Sequence, residues 1–188
     1  DVSDSAKFYL DKNVKFSLNN ILNEKLPYQD NYFDVIYSKS LIEHFQKPEI
    51  FFQEAYRVLS EGGEALVQIP FLYPIHDAPL DFRRPTMHGL KALFETVGFQ
   101  TVEITSRGKP IETACLLINI ALASSVTSML KTKWAFLGLV LSPFVILMGA
   151  VFNVLGLLAS RLNDSADLMP FSYQAKFRKG SLTRKDSA

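Results

Sequence analysis

The sequence has one cysteine in 188 residues, Cys115, which excludes an intrachain disulfide and a cysteine-built metal site. No metal is expected. Neither sign of charge is in excess: 20 Lys and Arg stand against 19 Asp and Glu, for a net +1. That excludes a global field of the kind that gathers nucleic acid. The single basic run, Lys176 to Lys185, reads as a solvated terminus. The opening does not read as a secretory leader, since no basic segment precedes an apolar one there. The opening at Asp1 reads as an interior cut in a longer chain. Most conspicuously, Trp134 to Ser160 holds no charged residue, and that run exceeds the roughly 20 apolar residues that span a bilayer.

What is there begins with an alternation of strand and helix patterns. Val14–Leu18 alternates apolar and polar, as a short strand does, and Asn19-Asn20 ends it. Leu26 to Asn31 is turn-rich. Phe33–Tyr37 is β-branched and aromatic and reads as a buried strand. Pro48–Leu59 is expected to be a helix with Phe51, Ala55, Val58 and Leu59 on one face, closed by Gly62-Gly63. Ala65–Ile69 is the next strand, stopped by Pro70. A long irregular stretch follows, Phe71 to Arg84, of a length that is usually functional. Thr86 then caps a helix presenting Leu90, Leu93, Phe94 and Val97, which Gly98 ends. Phe99–Thr105 and Phe171–Phe177 alternate as strands. The order is that of an α/β domain with a mostly parallel sheet. Residues 1–110 form the main part, 111–161 an apolar helical hairpin inserted before the last strand, and 162–188 that strand and a basic tail.

Three segments carry a family resemblance. Leu26-Pro27-Tyr28-Gln29-Asp30-Asn31-Tyr32-Phe33-Asp34-Val35-Ile36 resembles the entry to the fourth strand of class I S-adenosylmethionine-dependent methyltransferases, commonly LPF-x-D-x-x-FD-x-V. Leu41-Ile42-Glu43-His44 resembles the L-x-EH that often follows it. Glu54 to Gly63 resembles the E-x-x-RVLKPGG before the fifth strand. All three stand in the family's order. The resemblance implies a Rossmann-like sheet lacking its first strand, with S-adenosylmethionine as cofactor. It departs at two places. The family's glycine-rich turn is absent, so this chain is expected to bind the cofactor poorly. Asn20 stands where the family has an acidic residue that meets the adenine; its side-chain carbonyl can accept the same bond.

Ligands of open α/β sheets bind at the carboxyl ends of the strands. By resemblance, Asp1 would meet the ribose, Asn20 and Ile21 the adenine, and Ser38, Ser40 and Leu41 the methionine part. Asn20 is equally a plain turn residue, and Asp34 reads as structural. His44, His76 and Asp81 are candidate bases for the methyl acceptor. Arg83 and Arg84 are candidates to clamp an anionic part of the substrate; one of them is equally suited to pair with Asp77 or Asp81. Tyr28, Tyr73 and Phe82 read as packing residues.

If Phe171–Phe177 pairs beside Phe99–Thr105, both ends of the insertion lie on one side of any membrane, and a single crossing is excluded. The insertion is then expected to lie in or dip into the cytoplasmic leaflet, with Trp134 at the interface, Pro143 as a possible bend and Lys131 and Lys133 kept from the far face. A lid or a dimer interface is the other reading of the same apolar surface. The expected protein is cytoplasmic and membrane-associated, and acts on a small or lipid-linked acceptor. A non-catalytic Rossmann-like protein held at the membrane is the competing reading. An oxidoreductase fits less well, for want of a Tyr-x-x-x-Lys pair.

Overall fold

The computed structural model describes residues 25–162 and 167–180. The strand expected at Val14–Leu18 lies outside the described residues. Four strands, β1 (Phe33–Lys39), β2 (Leu59–Pro70), β3 (Phe99–Arg107) and β4 (Ser172–Lys179), form one sheet in the order β1-β2-β4-β3. β1 and β2 are parallel, while β4 is antiparallel to both β2 and β3. Three strands therefore share one direction, and the last strand is threaded between two of them in reverse. As expected, Phe171–Phe177 pairs beside Phe99–Thr105.

Helices α1 (Pro48–Val58) and α2 (Met87–Glu95) cover one face of the sheet. Proline opens α1, where its missing N–H costs nothing. Thr86 caps α2, its Oγ1 accepting from the Gly89 N–H at 3.1 Å. The period-2 pattern of β4 sends Tyr173, Ala175 and Phe177 into the core and leaves Gln174, Lys176 and Arg178 on the other face. There Glu64 pairs with Lys176 and Arg178. The core is aromatic: Phe94 stacks on Phe177 with ring centroids 3.7 Å apart, and Phe52 leans on Phe94.

Two expectations are corrected. Gly62-Gly63 does not cap α1. The helix stops at Val58, Leu59 is already extended, and β2 runs through both glycines. The pairing with β1 jumps from Phe33↔Leu59 to Val35↔Glu64, and Gly62, at φ +76°, turns the chain through this bulge. Second, Phe33–Tyr37 is not a buried strand. Among the described residues β1 lies at the sheet edge, with Val35 54% and Tyr37 65% exposed. Aromatic and β-branched content reports strand propensity but not which strand is central.

The insertion is a pair of helices, α3 (Pro110–Leu130) and α4 (Ala135–Ser160). Pro143 lies within α4, which continues through it. The two helices run antiparallel. Cys115 meets Gly156, Asn119 bonds Asn153 at 2.7 Å, and Met129 and Leu130 meet Gly138. Any Cβ on Gly156 would stand 2.9 Å from the Cys115 sulfur, so glycine permits this approach. Lys109 Nζ donates to the Ser160 carbonyl at 2.6 Å, which brings the two ends of the insertion together.

Candidate functional site

The carboxyl ends of β1 and β2 open on a cavity of about 360 Å³ lined by Ser40, His44, Gln68, Pro70, His76 and Ser172, among others. Its floor is built by local structure. After β1 the chain turns at Ser40, at φ +46°, held by a bond from the Ser40 N–H to the Gln68 carbonyl at 2.9 Å. One turn of 3-10 helix, Ile42–His44, follows and buries Glu43 completely. Its end bonds back through the His44 and Phe45 N–H groups.

The stretch Phe71–Arg84 folds over that turn. Arg84 organises it: the guanidinium donates to both carboxylate oxygens of Asp81 and to the Pro74 carbonyl at 3.2 Å. Asp81 also accepts from the His76 backbone N–H at 2.9 Å. The Phe82 N–H donates to the Glu43 carbonyl, tying the stretch to the 3-10 turn. The result sets His76 over Glu43, with Nε2 3.7 Å from Oε1. His44 Nε2 lies 3.9 Å from the same oxygen, and the two rings meet edge to face. Neither Glu43 oxygen has a hydrogen-bond partner among the described residues. Burial pushes the Glu43 carboxyl above its ordinary range.

The expected site residues fare differently. His44 and His76 come together at the cavity. Asp81 sits beside them, but the Arg84 guanidinium holds its carboxyl at about 2, and its side chain is 2% exposed. A carboxylate so stabilised is a poor base. Asp81 is a positioning residue for His76, which corrects its reading as a catalytic candidate. Arg84 is committed to Asp81, so of its two suggested roles the internal pairing is the one realised. Arg83 donates to the Gln46 carbonyl at 2.8 Å. The Arg83 Nε has no hydrogen-bond partner among the described residues, so of the two arginines only Arg84 is taken up by an internal carboxylate. Ser38 is buried with its Oγ unpartnered, Ser40 lines the cavity, and Leu41 packs on the core. Asp1, Asn20 and Ile21 lie outside the described residues.

The residue that sequence reasoning passed over is Glu43. It stands inside the L-x-EH motif, and the signal was available: a carboxylate beside a histidine, in a turn that follows a strand end. What the sequence does not show is that His76, 33 positions on, returns to the same oxygen.

Arg57 anchors the entry to β1. It bonds both Glu54 carboxylate oxygens, Asp30, and the carbonyls of Leu26 and Tyr28. This explains why Leu-Pro-x-x-Asp and Glu-x-x-Arg occur together: they are two halves of one network.

Residues 3–67 match a family described as a methyltransferase domain. No curated protein matches the sequence. Among solved structures, the fold is similar to the [4+2]-cyclase SpnF, with TM-score 0.56 and 18% identity over 94% of this chain and 60% of that one. It is also similar to a SAM-dependent methyltransferase from Archaeoglobus fulgidus, with TM-score 0.55 and 13% identity over 95% of this chain and 74% of that one. A third likeness is to an S-adenosylmethionine-dependent methyltransferase from Mesorhizobium loti, with TM-score 0.54 and 12% identity over 95% and 78%. At these identities the likeness shows the fold, and the chain spans about three fifths of SpnF. The segment 3–67 is thus similar to a methyltransferase domain, and the sheet has the Rossmann-like fold of S-adenosylmethionine-dependent methyltransferases.

Proposed function

We propose that the protein transfers a methyl group from S-adenosylmethionine to an acceptor held in the cavity between Ser40 and His76. The observation that carries this reading is the position of that cavity, at the carboxyl ends of β1 and β2, where Ser40, Gln68 and Pro70 line it. The bound cofactor supplies an electrophilic sulfonium methyl. The chain's own residues align the acceptor against it, with Gln68 and Ser172 as polar contacts and Phe171 and Tyr73 as walls that limit water. The fold alone does not decide the chemistry, since it also carries a cyclase. Ultraviolet cross-linking of a version extended at the N-terminus, with tritiated S-adenosylmethionine, tests the reading. Label is expected in the peptide spanning residues 38–41; label spread over other peptides alone overturns it.

A second part of the proposal concerns the acceptor's location. α3 and α4 are 21 and 26 residues long, about 31 and 39 Å at 1.5 Å per residue, enough to enter or cross a bilayer. Phe136, Phe144, Ile146 and Leu147 are each at least 65% exposed on α4. Lys131, Lys133 and Trp134 lie at the tip between the helices. Such a surface, apolar on its sides and basic at its tip, suits lipid with phosphate headgroups. The protein is thus membrane-associated on the cytoplasmic side, and its acceptor is lipid-linked or small.

A further inference from the structure

We infer that Glu43, His44 and His76 form a binding site for a divalent first-row transition cation, with open coordination positions facing the cavity.

The donor set is one carboxylate and two imidazoles, the mixture preferred by zinc, manganese and iron(II) rather than by magnesium. The three atoms converge. Both Nε2 atoms address Glu43 Oε1, at 3.9 and 3.7 Å, and the three ligand atoms lie within 4.8 Å of one another, against about 3.4 Å between ligands of a tetrahedral zinc. The side chains must draw together for all three to reach one ion.

The second observation is that Glu43 is 0% exposed and neither of its oxygens has a hydrogen-bond partner among the described residues. A carboxylate buried without a donor is costly. The two neighbouring histidines do not offer it protons, because their tautomers are set from behind. His44 Nδ1 lies 2.8 Å from the Leu80 carbonyl, which only accepts, so Nδ1 carries the proton and Nε2 its lone pair. His76 Nδ1 faces the Pro74 carbonyl at 3.4 Å and Asp81 Oδ2 at 3.3 Å. Arg84 NH2 also lies 3.2 Å from that nitrogen, but its two hydrogens go to Asp81 and Pro74. His76 therefore also keeps its proton on Nδ1. Two Nε2 lone pairs and a carboxylate oxygen without a partner among the described residues then face one region, an arrangement that a bound cation would satisfy. The backing of each imidazole by a carbonyl or carboxylate is the outer-shell pattern that orients metal-binding histidines.

Asp77 Oδ2 lies 4.0 Å from His44 Nε2 and is exposed at the cavity rim, which places a further acidic group at the entrance. A cation here lowers the pKa of a hydroxyl oxygen bound in an open position, and the released proton leaves to water at that rim. This last role rests on the methyl-transfer reading; the cation site itself does not.

Cobalt(II) titration of the metal-stripped 188-residue chain, in mild detergent, reads the site by its ligand-field absorption without any turnover. One equivalent is expected to bind, with zinc displacing it and magnesium failing to do so. His76→Asn, on an irregular stretch outside the core, and the isosteric Glu43→Gln are each expected to weaken binding more than about a hundredfold. Asp81→Asn is expected to weaken it by about 10–100-fold, as an outer-shell partner does. His88→Asn, an exposed histidine on α2, leaves it unchanged. Circular dichroism reports whether each variant is folded. Absorption of free aqueous cobalt only, or binding unaltered in both folded His76→Asn and Glu43→Gln, overturns the site. Added catechol is expected to shift the bound cobalt bands; unshifted bands overturn the open positions and leave cofactor cross-linking as a separate question.

Discussion

Lys179 Nζ, at the end of the last strand, donates to Asn31 Oδ1 at 2.8 Å, across 148 positions of sequence. The same ammonium donates to the carbonyls of Tyr56 and Leu59, which uses all three of its hydrogens in a site where the residue is 8% exposed. One side chain thus joins the turn before β1, the end of α1 and the end of β4. Lys179→Met keeps the length of the side chain and leaves three acceptors without a donor. It is expected to lower stability by about 1–3 kcal/mol, read by urea denaturation. An unchanged midpoint would show that these three elements hold their places without it.

Glu54 makes stability depend on pH. The Arg57 guanidinium holds its carboxyl below the ordinary 4.5, with burial opposing and the Leu26 N–H assisting. A carboxyl lowered in the folded state stabilises it above that ordinary value and loses the contribution as pH falls through the lowered one. Denaturation curves from neutral to acid pH are expected to show this decline in the wild type and a shallower one in Glu54→Gln. Parallel declines would remove Glu54 as a contributor.

Phe94→Ala removes the ring that stacks on Phe177 and touches Phe52 and Phe99. The cavity left in a fully buried position is expected to cost about 3–5 kcal/mol, read as a fall in Tm. Thr86→Ala, which removes only the α2 cap, is expected to cost about 1 kcal/mol. The ratio between the two checks that the core, not the helix end, carries this part of the fold.

Lipid flotation tests the apolar pair. The intact protein is expected to rise with vesicles containing anionic lipid, and a variant lacking residues 113–160 to remain at the bottom of the gradient. Lys131→Glu with Lys133→Glu is expected to weaken the association. A protein that stays soluble without detergent and never floats would assign the surface to a protein partner instead.

Much of this architecture is legible in the residues. The period-2 patterns at Phe99 and Phe171, the Thr86 cap and the apolar faces of α1 and α2 report local physics, and the structure follows them. Gly62-Gly63 misled because glycine serves both helix ends and strand bulges, and only the pairing partner of β2 distinguishes them. β1 misled because strand-forming residues do not reveal whether a neighbour covers them. The site was half legible. His44 and His76 are found by residue type and place in the chain. Their common relation to Glu43, and the capture of Arg84 by Asp81, depend on a fold of the stretch 71–84 for which the sequence carries no periodic signal.

The bond between Lys109 and Ser160 has a consequence for the order of assembly. Arg107 and Gln174, neighbours in the finished sheet, are 67 positions apart. Until β4 arrives, both β2 and β3 stand as open edges able to recruit a foreign strand. Helices α3 and α4 form from local contacts and fold back on each other, so most of that span is already gathered when the final strand is made. The effective loop to be closed shrinks to residues 108–109 and 161–171, and the entropic cost of closure falls with it. The paired helices therefore shorten the path that the last strand has to close to reach its slot between β2 and β3.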